Sequence, residues 1–323
     1  MKRKILLYGR GLQANFYIDR IIEKKKFDVE NIKTYKNIKL NKEKKNIYAA
    51  VVASSTKNQY LILSKLIPLN IKILCEKPFT DSLFKTKKIR ELLNKSKSKI
   101  YINYQYRFEK NIEKFKALIK KKKLGKIKSI NVKWYTSGWN NKNRTFNFKC
   151  TKKYGGVLRE YGSHVIDYFF WLIDDINFSE KIDLKIDKLK SYVKYKFRKN
   201  YKGNLEKVDG EDMIFLKLKI NSIKFNVHIS RVSTLNKHVI NIIGSKAKCT
   251  SIHYGPFRQC DMKIKIQNEK LKVIKFNQNF DTRVKSTKRL FNYFCNERNR
   301  DIATINDAIK VNTIINKCNA KLV

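Results

Sequence analysis

Two periods of apolar and polar residues run along this chain, and the change from one to the other divides it. In the first hundred residues, short apolar runs are separated by helical patterns. Ile5-Leu6-Leu7-Tyr8 predicts a buried strand, and the run behind it predicts a helix through about Lys25. Asn46 to Ala53 reads as a buried parallel strand with a turn at Ser54-Ser55-Thr56. Tyr60 to Leu69 reads as a helix broken near Pro68, and Ile71 to Cys75 as the next strand. A helix capped by Thr80 or Asp81 should run to about Asn94, and Lys99 to Tyr104 should form another strand. Strand and helix alternate throughout, the pattern of a doubly wound parallel sheet. The stretch Phe27 to Lys36 interrupts it, being short and polar.

Beyond residue 103 the pattern changes. A basic amphipathic helix from Glu109 to Lys122 is ended by Gly125, and Ile127 to Tyr135 is strand-like. Later, Ile214, Leu216, Leu218 and Ile220 alternate with Phe215, Lys217 and Lys219. Phe225, Val227 and Ile229 alternate with Asn226 and His228, and Met262, Ile264 and Ile266 with lysines. Period two predicts an antiparallel sheet with one dry face and one wet face. Thr287 to Cys295 and Thr304 to Cys318 read as closing helices. The expected architecture is α/β followed by α+β, with a domain boundary at 103/104 and the second domain running to 323.

Between the two patterns lies Gly155 to Trp171, GGVLREYGSHVIDYFFW. Glu160, His164, Asp167 and Trp171 recur at spacings of four, three and four, so one helix face carries them. Histidine titrates near neutral pH, and a carboxylate one turn away can orient it and stabilise its charged form. A core histidine beside two acids is the structural alternative. His228, His238 and His253 have no carboxylate at helical spacing and read as ordinary sheet or loop residues.

Composition changes this picture little. Lys plus Arg number 74 against 27 Asp plus Glu, a net charge of +47 over 323 residues. Such a charge suggests nucleic acid or anionic membrane. The lysines are instead spread through every segment, mixed with Asn and Ile; these three share A/T-rich codons. Only Lys120 to Lys123 is a tight run, at an expected helix end where cations are favoured. Specific nucleic-acid binding is therefore not expected. No apolar run reaches the roughly 18 residues of a membrane span, and the first is too short for a secretory signal. A cytoplasmic protein without a membrane partner is expected. Cys75, Cys150, Cys249, Cys260, Cys295 and Cys318 are scattered with no C-x-x-C pair, so they read as reduced thiols, and no metal site is expected.

Strand, Gly9-Arg10-Gly11-Leu12-Gln13-Ala14, helix is the dinucleotide fingerprint in its proper context. Three further blocks follow: Ala53-Ser54-Ser55-Thr56, Cys75-Glu76-Lys77-Pro78, and Gly155 to Asp167. Together with Asp209-Gly210-Glu211-Asp212 and Ile242-Ile243-Gly244-Ser245, they resemble the glucose–fructose oxidoreductase and inositol dehydrogenase family, Gfo/Idh/MocA. The resemblance implies an N-terminal Rossmann domain and a C-terminal α+β domain with a large, mostly antiparallel open sheet. It implies an NAD- or NADP-dependent oxidoreductase acting on CH–OH groups of a sugar, cyclitol or related carbonyl compound, and a homo-oligomer, dimer or tetramer. Gly9, Arg10, Gly11, Ala14, Ser54, Ser55 and Glu76 would then serve the cofactor. Lys77, Glu160 and His164 would be catalytic, and Lys77-Pro78 would be a candidate cis peptide.

Three departures stand out. Glu160 replaces the family's usual aspartate. Ser55 and Gln59 stand where proline and histidine are frequent. The region after the first helix is short, and no acid is evident for the ribose, Asp28 and Glu30 being the only ones near. A member that binds a ligand without turnover is therefore a second reading. Arg107, Arg159 and Asp167 would serve the substrate; Arg107, Arg144 and Arg159 suggest an anionic sugar, nucleotide-linked or acidic, of surface-polysaccharide synthesis, because arginine grips phosphate or carboxylate in a fork. Neutral cyclitols and free hexoses are the rival substrates.

Overall fold

The apolar runs of the first hundred residues become parallel strands, and the period-two runs become a second sheet. The structure, a computed structural model, describes residues 2–33, 47–173, 184–254, 259–266, 270–277, 282–296 and 301–321. In chain order the elements are β1 (Arg3–Tyr8), α1 (Leu12–Phe16), β2 (Phe27–Ile32), β3 (Ile47–Val52), α2 (Thr56–Leu66), β4 (Lys72–Cys75), α3 (Leu83–Asn94) and β5 (Lys99–Ile102). Then come α4 (Lys110–Lys120), β6 (Ile127–Tyr135), α5 (Ser163–Ile173), β7 (Leu184–Tyr192), β8 (Phe197–Lys199), β9 (Leu205–Lys207), β10 (Met213–Ile220) and β11 (Ile223–Ser230). The chain closes with β12 (Lys237–Gly244), β13 (Ala247–Tyr254), β14 (Gln259–Ile266), β15 (Lys272–Asn277), α6 (Thr282–Asn296), β16 (Ala303–Thr304) and α7 (Ile305–Lys321). None of the described helices is long and apolar enough to cross a membrane.

One compact unit holds residues 1–108 and 284–316. Its sheet has the order β16-β5-β4-β3-β1-β2, with β1 to β5 parallel and β16 antiparallel at the edge. Residues 284–316 were expected in the second domain. They join the first because α6 lays Leu290, Phe291 and Phe294 against Ile5, Leu7, Val51 and Leu74. The Phe291 ring meets Tyr17 and Phe27 edge-on, at 6.5 and 5.9 Å between centroids.

Boundaries shift where local chemistry is stronger than the apolar period. The first helix stops at Ile21, not Lys25, and its second half, Tyr17–Ile21, is wound as a π-helix. The polar stretch after it does contain a strand, β2, paired with β1 from Arg3↔Phe27 to Tyr8↔Ile32. Residues 34–36 of that stretch lie outside the described residues. The cap of α3 is Ser82, which accepts from the Lys85 amide, rather than Thr80 or Asp81. The second helix starts four residues early, at Thr56, and passes into a 3-10 turn at Ile67–Leu69.

The other unit holds residues 109–283 and 317–323. Its eight strands run β15-β14-β13-β12-β6-β11-β10-β7, antiparallel except for β6 beside β11. As the alternation requires, Ile214, Leu216, Leu218 and Ile220 are buried while Lys217 and Lys219 are exposed. The thiols of Cys75, Cys150, Cys249, Cys295 and Cys318 are free and buried; the side chain of Cys260 lies outside the described residues. No cluster of metal-ligating side chains occurs among the described residues.

The histidines of the sheet are less ordinary than their spacing suggests. His238 faces His253 across the β12–β13 pair, and both are 7% exposed. The His238 ring stacks on Trp134 at 4.4 Å. Burial pushes His253 from 6.5 down to about 4, and burial with the neighbouring His253 pushes His238 well below 6.5. Both are neutral in the fold and protonate readily once unfolded. Stability is then unaffected above pH 6.5 and declines as pH falls from 6.5 toward 4, by about 3 kcal/mol for His253 alone. Urea midpoints between pH 7.5 and 4.5 should show this fall, and His253→Phe should flatten it. An unchanged slope in that variant would assign the acid sensitivity elsewhere.

Candidate active site

In the first unit, the carboxyl ends of β1, β3 and β4 carry the glycine turn, Ser54-Ser55 and Glu76-Lys77. Gly9 is buried, and a side chain there would collide with the Ala53 carbonyl, 2.6 Å from its Cβ position. Gly11 is the opposite case: nothing lies within 4 Å of its Cβ position, and it is the extended N-cap of α1. Its backbone thus fronts open space, as an approaching pyrophosphate requires. Ala14 is buried under the turn, and Arg10 is exposed. Ser54 and Ser55 are partly exposed, and the Ser54 hydroxyl has no hydrogen-bond partner among the described residues. An open turn and an unused hydroxyl at the strand ends fit a dinucleotide.

Glu76 serves the loop rather than the solvent. It is 6% exposed, and its Oε1 accepts from Gln13 Nε2 at 2.8 Å, the Tyr17 hydroxyl at 2.9 Å and Asn103 Nδ2 at 2.6 Å. Burial, and then the Glu76 charge, raise the Tyr17 phenol well above its ordinary value, so it stays a donor. Gln59, standing where histidine is frequent, grips the same loop from below. Its Nε2 donates to the Glu76 carbonyl at 2.8 Å and its Oε1 accepts from the Thr80 amide at 2.7 Å. Lys77, half-buried, is the charged residue held between these anchors; its peptide to Pro78 is cis. Glu76 thus anchors the loop through Oε1, which is taken by three internal donors.

In the second unit, the helix expected from Gly155 begins as a π-turn, Leu158–Gly162, and becomes α-helical as α5. Residues 163–173 are buried on every side, so the helix has no wet face. His164 is 3% exposed, and its ring lies 6.3 Å from Trp134. Asp167 is 1% exposed. Glu160 is more open, its side chain 14% exposed, and forms ion pairs with Lys149 and, at 3.7 Å, with Arg231.

Lys149 and Arg231 were not expected. Arg231 is fully buried. Its guanidinium bonds Asp212 Oδ1 at 2.8 Å, the Lys149 carbonyl at 3.0 Å and the Gly210 carbonyl at 3.4 Å, and lies 4.2 Å over the Trp139 ring. Gly155 admits the Lys149 backbone, since a Cβ there would stand 2.3 Å from the Lys149 Cα. Gly156 has φ +76 and packs under the Glu211 carboxylate, which accepts from the Leu158 amide at 2.8 Å. The glycine pair and Asp209-Gly210-Glu211-Asp212 therefore form one clamp, which fixes a lysine whose Nζ reaches Glu160. Partners 11 and 71 residues from Glu160 in sequence leave no helical spacing by which to find them.

The arginines offered to an anionic substrate are placed differently. Arg107 is 3% exposed and is spent on Asp307 Oδ1 at 2.9 Å and the Asp301 carbonyl at 3.2 Å. Burial works to raise the Asp307 carboxyl, but the Arg107 charge and the hydrogen bonds from Thr304 and Arg107 together outweigh it, so the group ends below its usual range. Arg107 is thus a structural ion pair rather than a substrate ligand. Arg159 is 7% exposed, within the field of Glu211. Arg144 is exposed, its guanidinium 4.1 Å over the Trp139 ring.

With this geometry in view, two family models match the chain. Residues 13–104 match the NAD-binding Rossmann fold of an oxidoreductase family, and residues 116–319 match its C-terminal α/β domain. The chain belongs to the Gfo/Idh/MocA oxidoreductase family. The first match begins just after the glycine turn, which the open Gly11 backbone supplies. An uncharacterized oxidoreductase of Synechocystis is 24% identical over 221 residues, which are 66% of this chain and 57% of that protein. A Gfo/Idh/MocA fold is also what the solved structures show. An inositol dehydrogenase homolog from Azotobacter vinelandii, complexed with NADH and myo-inositol, has TM-score 0.77 at 14% identity, covering 98% of this chain and 94% of its own. A super-repressor mutant of Gal80p from Saccharomyces cerevisiae has TM-score 0.80 at 15% identity, covering 100% and 97%. The Rossmann half of this Gfo/Idh/MocA member is thus an NAD-binding domain.

Proposed function

We propose that this protein is an NAD(P)-dependent dehydrogenase or reductase acting on a CH–OH or carbonyl carbon of a sugar or sugar derivative. The single observation that carries the reading is the Glu160–His164 helix turn, with its carboxylate gripped by Lys149 and Arg231. A clamp of this cost, built around an acid and an imidazole, suits proton transfer. The nicotinamide, when bound, supplies or takes up the hydride. His164 takes the hydroxyl proton in oxidation and returns it in reduction. Glu160 orients the imidazole. Lys77 holds the substrate oxygen and favours its developing negative charge. The Lys149–Glu160 pair offers a donor beside an acceptor, which matches two neighbouring hydroxyls of a sugar. The myo-inositol of the Azotobacter structure supports a polyhydroxyl substrate.

The narrower substrate, an acidic or nucleotide-linked sugar of surface-polysaccharide synthesis, now rests on Arg144 and Arg159, since Arg107 is spent on Asp307 and the Asp301 carbonyl. The second reading, ligand binding without turnover in a homo-oligomer of the same family, is favoured by the likeness to Gal80p, whose solved form is a super-repressor. The two separate in one experiment. Wild type and Gly11→Val are titrated with NADH and NADPH by fluorescence, then assayed with UDP-sugars, sugar acids, free hexoses and inositols. A Cβ at Gly11 has no protein atom within 4 Å, so Gly11→Val should unfold like wild type and lose dinucleotide affinity by roughly tenfold or more. Binding of neither dinucleotide by the wild type would favour the second reading. Unaltered cofactor affinity in Gly11→Val would sink the dinucleotide reading of the glycine turn.

A further inference from the structure

We propose that the preferred cofactor carries a 2′-phosphate, that is, NADP(H), and that Lys33 and Arg10 form its subsite. This rests on the Rossmann domain being functional. In a Rossmann unit the residue that selects the cofactor lies at the carboxyl end of the second strand, beside the glycine turn. An acid there bonds both ribose hydroxyls, and a cation there accommodates the 2′-phosphate.

The strand register identifies that residue. Tyr8 pairs with Ile32, and the Gly9 amide donates to the Ile32 carbonyl at 3.2 Å. The next residue, Lys33, is therefore the one beside the glycine turn, and it is exposed. Arg10, within the turn itself, is exposed as well. The nearest acid, Glu30, lies three residues back inside β2, where it pairs with Lys4 at 2.8 Å. By strand alternation it points to the opposite face from Lys33. Nor does the following sequence supply an acid. From Asn31 to Asn41 there is none, while Lys33, Lys36 and Lys39 recur. Among the described residues at this strand end, a ribose diol thus finds no carboxylate at the Lys33 position to accept its two hydroxyls. A 2′-phosphate, carrying close to two negative charges, finds a lysine and an arginine.

This is a narrower matter than the chain's overall charge. Lysines occur in every segment of the chain, whereas selection here depends on which residue occupies one register position. The missing acid and the lysine in its place argue in the same direction.

The test is equilibrium binding of NADPH and NADH to the full chain, followed by nucleotide fluorescence at two salt concentrations. NADPH should bind at least tenfold tighter than NADH, and the gap should narrow at high salt as the phosphate contacts are screened. Lys33→Asp should weaken NADPH at least tenfold and leave NADH binding equal or tighter; retained NADH binding reports that the variant is folded. Arg10→Ala should weaken NADPH with little effect on NADH. Equal affinities in wild type, or a Lys33→Asp variant that still prefers NADPH, would overturn the assignment and leave the Rossmann reading intact. Binding of neither nucleotide would overturn both.

Discussion

His164→Ala should turn over its sugar substrate at roughly one hundredth of the wild-type rate or less, the usual size of a lost acid–base group. The fall should appear in kcat more than in KM, because the imidazole handles a proton that moves only in the reaction. Lys77→Ala should lose a comparable factor, and the double variant should be little worse than the worse single one, since both groups serve one step. Lys149→Met, which releases one cation from Glu160, should show a smaller loss shared between kcat and KM. NADPH and NADH titrations of each variant supply the control for folding. A His164→Ala enzyme with full activity, or losses for His164 and Lys77 that simply multiply, would mark His164 as a packing residue.

Arg231→Met should cost about 3–5 kcal/mol of unfolding free energy, the range for stripping one partner from a buried ion pair. The methionine fills much of the arginine's volume, so the loss comes from what it strands. Asp212 is 1% exposed and loses its 2.8 Å partner, and the Lys149 and Gly210 carbonyls lose a donor. Adding Asp212→Asn removes the stranded charge while leaving an acceptor for the Lys194 amide, now bonded at 2.8 Å, and should recover part of the loss. Urea unfolding at constant slope would read both changes. A single-variant loss below 1 kcal/mol would show that water reaches this cluster in solution.

The parts of this protein visible in its sequence are those made by neighbours along the chain. The strand before Gly9, the turn at Gly11 and the alternation in β10 are one-dimensional patterns, and each became the element it foretold. Both π-turns escaped, because they keep the helical order of apolar residues and change only the winding, at Tyr17–Ile21 and Leu158–Gly162. β2 escaped because at the sheet edge it needs little apolar surface: only Phe27 of its six residues is buried. In the candidate site the glycines, Lys77 and His164 stood out by motif. Their supports did not. Gln59 acts on Thr80, Asn103 on Glu76 and Arg231 on Lys149, each across 20 or more residues. Arg107 misled for the converse reason: a charge beside a motif resembles a ligand until its internal partners are known.

The first unit is assembled from residues 1–108 and 284–316, and that division sets an order of events during synthesis. Its five parallel strands, β1 to β5, emerge early from the ribosome, but Leu290, Phe291 and Phe294, which cover Ile5 and Leu7, emerge only after the whole 109–283 segment. At about 5–20 residues per second, that segment takes on the order of 10–30 seconds to make. For that interval an apolar face of the nascent sheet stands uncovered, the condition under which a chaperone competes with aggregation. A chain stopped at residue 283 would keep that face bare permanently.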